Sequence, residues 1–227
     1  FSLADETEVP QLVQDAVERA LTIGARLAKD DSGIAALLAR LGHRRTHTAL
    51  TALLERRLVV PTALHRFLTV TPHVRTAEGV CGDTCHQLAD WITGNRRQLD
   101  LLLAAGPGDD ATFSIVARDL QRLATLADLD PGVARGSLDR IREFFLTQRG
   151  TPRHDFASSG TLSALAKRTY REAASAVALH VRDVMCRFDR DVNVVMVRAV
   201  QRLFAVAVSE YQRELEARAQ LDFSDVL

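Results

Sequence analysis

Apolar residues recur at helical spacing along most of this chain. Leu12, Val13, Ala16, Val17, Ala20, Leu21 and Leu27 follow an i, i+3, i+4 rhythm, which predicts an amphipathic helix. It opens near Pro10, where a missing N–H costs little. Asp5, Glu6 and Glu8 precede it, on the side where the helix dipole favours negative charge. The same spacing predicts helices over 32–41, closing at Gly42, and over 46–58. The second closes before Pro61, which disfavours a helical residue ahead of it. Further helices are predicted over 62–70, over a longer span 77–105, and over 111–126, the last two separated by Gly106-Pro107-Gly108-Asp109-Asp110. Asp130-Pro131-Gly132 reads as another break, with a helix over 137–145 after it. Residues 146–159, with Gly150, Pro152, Ser158 and Ser159, read as loop.

Beyond Gly160 neither glycine nor proline occurs, and an apolar stripe runs through Val177, Val181, Phe188, Val195, Leu203, Tyr211 and Leu215. The expectation is one very long helix, or two meeting at a kink near 189–193. Residues 194–197 have strand propensity, but the surrounding period outvotes it. The predicted fold class is all-α: a multi-helix domain of many short helices packed on a long C-terminal one.

Composition narrows the function classes. A chain of 227 residues with 47% hydrophobic content can bury a sizeable core. Lys+Arg and Asp+Glu balance at 29 each, so no net basic charge announces nucleic acid. Only Lys29 and Lys167 are lysine; the other basic residues are arginine, whose planar fork suits phosphate. Cys81, Cys85 and Cys186 are an odd number without a secretory signal, which points to reduced thiols and a cytoplasmic setting. No uninterrupted apolar run approaches the roughly 20 residues of a membrane span, so no membrane partner is expected. The chain contains no G-x-x-x-x-G-K-[ST] phosphate loop, and Gly106 to Asp110 offers two acids where lysine and a hydroxyl belong. No acidic strand motif to hold Mg²⁺ is present either. Hydrolysis of ATP by these residues is excluded, and no set of catalytic residues converges.

Several clusters invite chemistry. Cys81-x3-Cys85-His86 lacks the second ligand pair that structural zinc needs, so buried small side chains account for these cysteines better. His43 and His47 lie one helical turn apart without the glutamate of a zincin. Neither is expected to hold a metal. Arginines remain. Arg44, Arg45, Arg56 and Arg57 lie where acids are sparse, Arg149 and Arg153 flank a turn, and Lys167 and Arg168 open the long helix. Arginine presented on turns suits sequence-independent phosphate contact, and these eight residues are the candidate DNA contacts. Trp91 and Tyr170 have rings able to stack on bases, though core packing is the commoner fate of such residues.

The C-terminal segment supplies the strongest pointer. Tyr211 sits on a charged helix that leads into Leu221-Asp222-Phe223-Ser224-Asp225-Val226-Leu227. Asp222 and Asp225 there form a weak capping box, with Leu221 and Val226 placed as a hydrophobic staple. This ending resembles the Y…LDFxDLL segment of UvrD/RecB-like superfamily 1 DNA helicases. Ser224 and Val226 depart from it. The opening Phe1-Ser2-Leu3-Ala4-Asp5-Glu6, the apolar-basic stretch from Leu54 to Leu68 with Pro61, and the stretch Phe145-Leu146-Thr147-Gln148-Arg149-Gly150-Thr151-Pro152-Arg153 look like three further patches of the AddA-type double-strand-break repair helicase–nucleases, in the same order. The resemblance implies a helical accessory region of the 1B kind over 1–205 and a return into the RecA-like motor core over 206–227. It implies a parent enzyme that uses ATP and Mg²⁺, held outside this segment, moves on DNA and works with a partner nuclease subunit in the bacterial cytoplasm. Phe1 in place of methionine fits an excised piece. This segment is then expected to contribute backbone contacts to DNA and no catalytic group. A self-contained α-helical protein-interaction or regulatory module is the alternative expectation.

Overall fold

Residues 2–3, 8–70, 76–125, 130–156 and 163–221 are described by the computed structural model. Among them eight helices carry nearly all the regular structure: α1 (Val9–Leu27), α2 (Ser32–Leu54), α3 (Val60–Thr69), α4 (Ala77–Gly94), α5 (Arg96–Ala105), α6 (Ala111–Thr125), α7 (Pro131–Phe145) and α8 (Ala164–Ala217). The class is all-α with a long C-terminal helix, as the periodicity requires. Two short strands complete it, β1 (Ser2–Leu3) and β2 (Gln220–Leu221).

Local chemistry explains where the helices differ from expectation. The two helices expected on either side of Gly42 are present, joined end to end within α2 where Gly42 breaks the helical backbone at φ 71°, ψ 167°. Glycine takes that left-handed φ without the Cβ penalty. Thr46, nearly fully buried, then donates its hydroxyl back to the Gly42 carbonyl at 2.8 Å. The single long helix expected over 77–105 is instead α4 and α5, parted at Asn95 (φ −122°, ψ 35°). The Asn95 side chain donates to the Trp91 carbonyl at 2.9 Å, the local competition with helix that asparagine offers. At Asp130-Pro131-Gly132 the expected break is a helix start. Asp130 Oδ1 accepts from Gly132 N at 2.9 Å and Val133 N at 3.2 Å, and Pro131 occupies the first turn, where its missing N–H is harmless. α8 passes through 189–193 as one helix of 54 residues.

The chain divides into two compact units. A terminal unit comprises Phe1–Ala77 and Val192–Leu227, and a central unit comprises Glu78–Asp191. The boundary at 205/206 implied by the resemblance falls within α8. The terminal unit is built on an aliphatic core in which Leu12, Val17, Leu37, Leu50, Leu54 and Leu203 are all at most 1% exposed. Each such burial is worth about 1.5–3 kcal/mol. The central unit buries Leu88, Ile92, Phe145, Tyr170, Val181 and Phe188.

By length and composition α8 is also apolar enough to cross a membrane, with an 18-residue stretch of mean hydropathy 1.5. A search for an uninterrupted apolar run misses it because charged residues are scattered along the helix. Positions such as Ala199, Leu203, Phe204 and Ala207 are packed in the terminal core, and the core helix of a soluble protein meets the same criterion.

Candidate DNA-contacting surface and an aromatic cleft

In the terminal unit the segments before α1 and after α8 lie side by side. β1 pairs with β2 in parallel, Ser2 opposite Gln220 and Leu3 opposite Leu221. The Gln220 side-chain amide adds a hydrogen bond to Glu8 Oε2 at 2.8 Å. Glu8 therefore ties the return segment to the start of α1 and makes no side-chain cap. Of the residues that carry the helicase resemblance, Leu221 is 41% exposed and Tyr211 is fully buried. Asp222, Phe223, Asp225 and Leu227, with Phe1, Asp5 and Glu6, lie outside the described residues.

The candidate arginines fall into two groups by what they touch. Arg57 is part of the packing: its guanidinium stacks 4.9 Å from the Tyr211 ring centroid and it donates to the Leu54 carbonyl at 3.4 Å. The burial of Tyr211 and the position of Arg57 are thus one arrangement. Arg168 is paired with Glu172 one turn on, at 2.9 Å, and Lys167 beside it is half-buried. Arg153 folds back on the C-terminus of α7, its Nε donating to the Leu146 carbonyl at 3.1 Å, a favourable place for a cation. Arg44, Arg45, Arg56 and Arg149 are exposed. Their surroundings differ in charge. Residues 32–70 hold six arginines against a single acid, Glu55, so Arg44, Arg45 and Arg56 belong to a locally basic stretch. His43 and His47, on that same stretch, both approach Glu18, at 4.0 and 3.4 Å. That stretch also carries apolar side chains in solvent: Leu58 and Val59 before α3, Phe67 on it and Val70 after it are 48% to 78% exposed and line one shallow groove.

The segment after α7, expected to be loop, is an ordered hairpin. Leu146 and Pro152 form an antiparallel bridge, Thr147 N donates to the Thr151 carbonyl at 2.8 Å, and Gly150 N donates to the Thr147 carbonyl at 2.9 Å. Gly150 takes φ 76°, the left-handed position that three-residue hairpin loops assign to glycine. Arg149 stands at the tip.

Beside this hairpin, within the central unit, is a cleft of about 520 Å³. The start of α6 contributes Asp110, Thr112 and Ile115; the end of α7 contributes Glu143 and Phe144; the chain after the hairpin adds Arg153, Asp155 and Phe156. Asp110 caps α6, accepting from Thr112 N at 2.7 Å and Phe113 N at 3.2 Å. Behind the cleft Phe113, Phe144, Phe145, Phe156 and Tyr170 form a contiguous ring cluster with centroid separations of 5.0–6.3 Å. Tyr170 is fully buried and its hydroxyl makes no hydrogen bond among the described residues. Burial, and secondarily the charge of Asp110, pushes its pKa up to about 12. Arg140 also lines the cleft, but its guanidinium is held by buried Asp119 at 2.6 and 3.0 Å, with Ser137 completing the triad.

Composition and motif reading missed Asp119, although a signal exists. It lies on the stripe Phe113, Val116, Leu120, Leu123, where an acid inside an apolar face demands a partner. Trp91, entertained as a stacking platform, stacks instead on His180 at 4.4 Å. Cys81 and Cys85 are buried small side chains as expected, whereas Cys186 on α8 is exposed. Burial raises the thiol pKa of both buried cysteines, Cys85 to about 11. Among the described residues no group of three or more His, Cys, Asp or Glu is placed to hold a metal ion. No family model matches this chain, nor does any curated protein or solved structure.

Proposed function

We propose that this chain is the helical accessory arm of an ATP-dependent, AddA-type DNA helicase–nuclease, inserted into a motor core that binds ATP and Mg²⁺ and works with a partner nuclease subunit in the bacterial cytoplasm. The arm grips DNA phosphates and supplies no catalytic group. The observation that carries this reading is the parallel β1–β2 pair. Parallel strands are joined by crossovers and sit inside larger sheets, and a pair two residues long has no stability of its own. A helical excursion that leaves one sheet and re-enters it in the same direction accounts for that geometry. The basic stretch over 32–70 supports the DNA contact, since Arg44, Arg45 and Arg56 are exposed and the six arginines there outnumber its single acid, Glu55.

A salt titration on forked DNA tests the contact. Each phosphate neutralised contributes about −0.9 to the slope of log affinity against log salt on duplex. Replacing Arg44, Arg45 and Arg56 together by alanine is expected to make the slope shallower by roughly one unit per lost contact, equally for unrelated sequences. Arg57→Ala is expected to lower stability instead, through Tyr211. An affinity at low salt no better than that of a neutral control protein overturns the DNA reading. The insertion has its own test in the flanking coding sequence, where a phosphate-loop motif upstream and an acidic ATPase motif downstream are expected.

One observation favours a second reading, a protein-docking module. The exposed apolar groove beside α3 is of the kind that marks interaction surfaces. Coding flanks without any nucleotide-binding signature favour that reading over the helicase.

A further inference from the structure

We propose that the cleft beside the 146–152 hairpin is a nucleobase pocket, taking one unstacked base with an exocyclic amino group from a single strand whose phosphates rest on Arg149 at the hairpin tip. This inference rests on the DNA-contacting role proposed above and assigns it a second, base-selective site in the central unit. A volume of about 520 Å³ lies in the range of small-molecule sites, roughly 300–1,000 Å³. Phe144 is half-buried and Phe156 buried at the wall, their rings 6.1 Å apart and backed by Tyr170. A flat aromatic ligand gains stacking there, as bases do on aromatic side chains in single-strand binders. Ile115, 45% exposed, also lines it.

Charge decides which part of a nucleotide enters. Asp110, Glu143 and Asp155 line the cleft, and no hydrogen bond or ion pair among the described residues occupies Glu143 or Asp155. Arg140 is already neutralised by Asp119, which leaves Arg153 alone against three carboxylates. A phosphate is repelled from such a cavity. A base is not. The amino groups of cytosine, adenine and guanine are donors that carboxylates accept, as in carboxylate readout of the cytosine N4 amine. Thymine has no amino group to offer. Phosphate is accommodated outside, where Arg149 stands exposed at the hairpin tip.

Equilibrium binding of short single strands of dC, dA and dT to the full chain tests this. The expected result is a preference of roughly tenfold for dC and dA over dT, the discrimination of one good carboxylate–amine contact. Joint replacement Glu143→Gln and Asp155→Asn should level the ratio of dC to dT affinity, which a general change of charge does not move. Phe144→Leu should weaken the amino-bearing strands by about fivefold or more through lost stacking. Equal affinities for all three strands, with the salt slope intact, overturn the pocket and leave the phosphate-gripping role standing. Absence of binding to every strand removes both. Displacement of bound dC by spermidine but not by free deoxycytidine shows a cation site and overturns the base reading.

Discussion

The terminal and central units solve the same packing problem with different residues. The terminal unit relies on long helices and aliphatic side chains: α1, α2 and the end of α8 bring Leu12, Leu37, Leu50 and Leu203 together, and its described aromatics are Phe67, Phe204 and Tyr211. The central unit has shorter helices ahead of α8 and concentrates the rings, with Trp91, Phe113, Phe144, Phe145, Phe156, Tyr170 and Phe188 all within Glu78–Asp191. Large rings bury 150–250 Å² each, so a few of them fill a core built of shorter helices. The polar chemistry divides in parallel. Buried Asp119 is satisfied inside the central unit by Arg140 and Ser137, whereas the terminal unit, which ties its own buried Glu210 to Arg213, also exposes Arg44, Arg45 and Arg56 and the apolar residues on and beside α3.

Removing one anchor from each core is the strongest way to break that contrast. Phe145→Ala is expected to cost about 3–5 kcal/mol, with loss of amide-exchange protection concentrated in residues 78–191. Leu203→Ala should cost about 2–5 kcal/mol, with the loss concentrated in α1, α2 and the end of α8. Protection lost evenly in both variants means that the two cores are one cooperative unit.

A smaller effect is expected at Asp119. Asp119→Ala leaves the Ser137 hydroxyl buried without a strong acceptor, worth about 1–3 kcal/mol by denaturant midpoint, while Arg140, 43% exposed, turns to water. An unchanged midpoint shows that the triad contributes nothing to the central unit. Below that comes the α7 cap. Asp130→Ala removes the acceptor for Gly132 N and Val133 N and should cost about 1 kcal/mol, with Asp130→Asn largely retaining stability.

The weakest expected effect is pH-dependent. Burial, then the charge of Arg187, lowers the pKa of His180 below its ordinary 6.5, with Asp183 opposing. Its imidazole Nε2 is buried without a hydrogen-bond partner. A folded-state pKa below the unfolded one means that the unfolded chain binds more protons between the two values. The contribution is therefore intact above about pH 6.5 and declines as pH falls below it. His180→Phe, which keeps a ring against Trp91, should flatten the acid side of the stability profile near that pH. A profile identical to that of the unsubstituted protein refutes the assignment.

Helix type and stripe were legible because burial in an all-α fold leaves a 3.6-residue signature, and every buried position on α1 except Gly24 lies on the predicted face. Boundaries were less so where one short motif has two meanings. Asp130-Pro131-Gly132 serves as a turn or as a cap with proline in the first turn, and the hydrogen bonds of the Asp130 carboxylate decide between them. At Asn95 a side chain diverted the backbone inside an otherwise good period. The arginines were visible as a class, but their availability was not. Arg57 and Arg153 look like Arg56 and Arg149 in sequence, and only their partners, Tyr211 and the Leu146 carbonyl, set them apart.

By itself the sequence determined the class of fold, the long final helix and the absence of a phosphate loop, since periodicity and motif are local properties of the chain. Tertiary structure alone decided three things. It set Ser2 and Leu3 against Gln220 and Leu221, it divided the arginines into packed and solvent-facing, and it gathered Asp110, Glu143 and Asp155 around one aromatic wall. The strand pairing and the Arg57–Tyr211 contact join residues more than 150 positions apart, and no local pattern records which distant groups meet once the cores have closed.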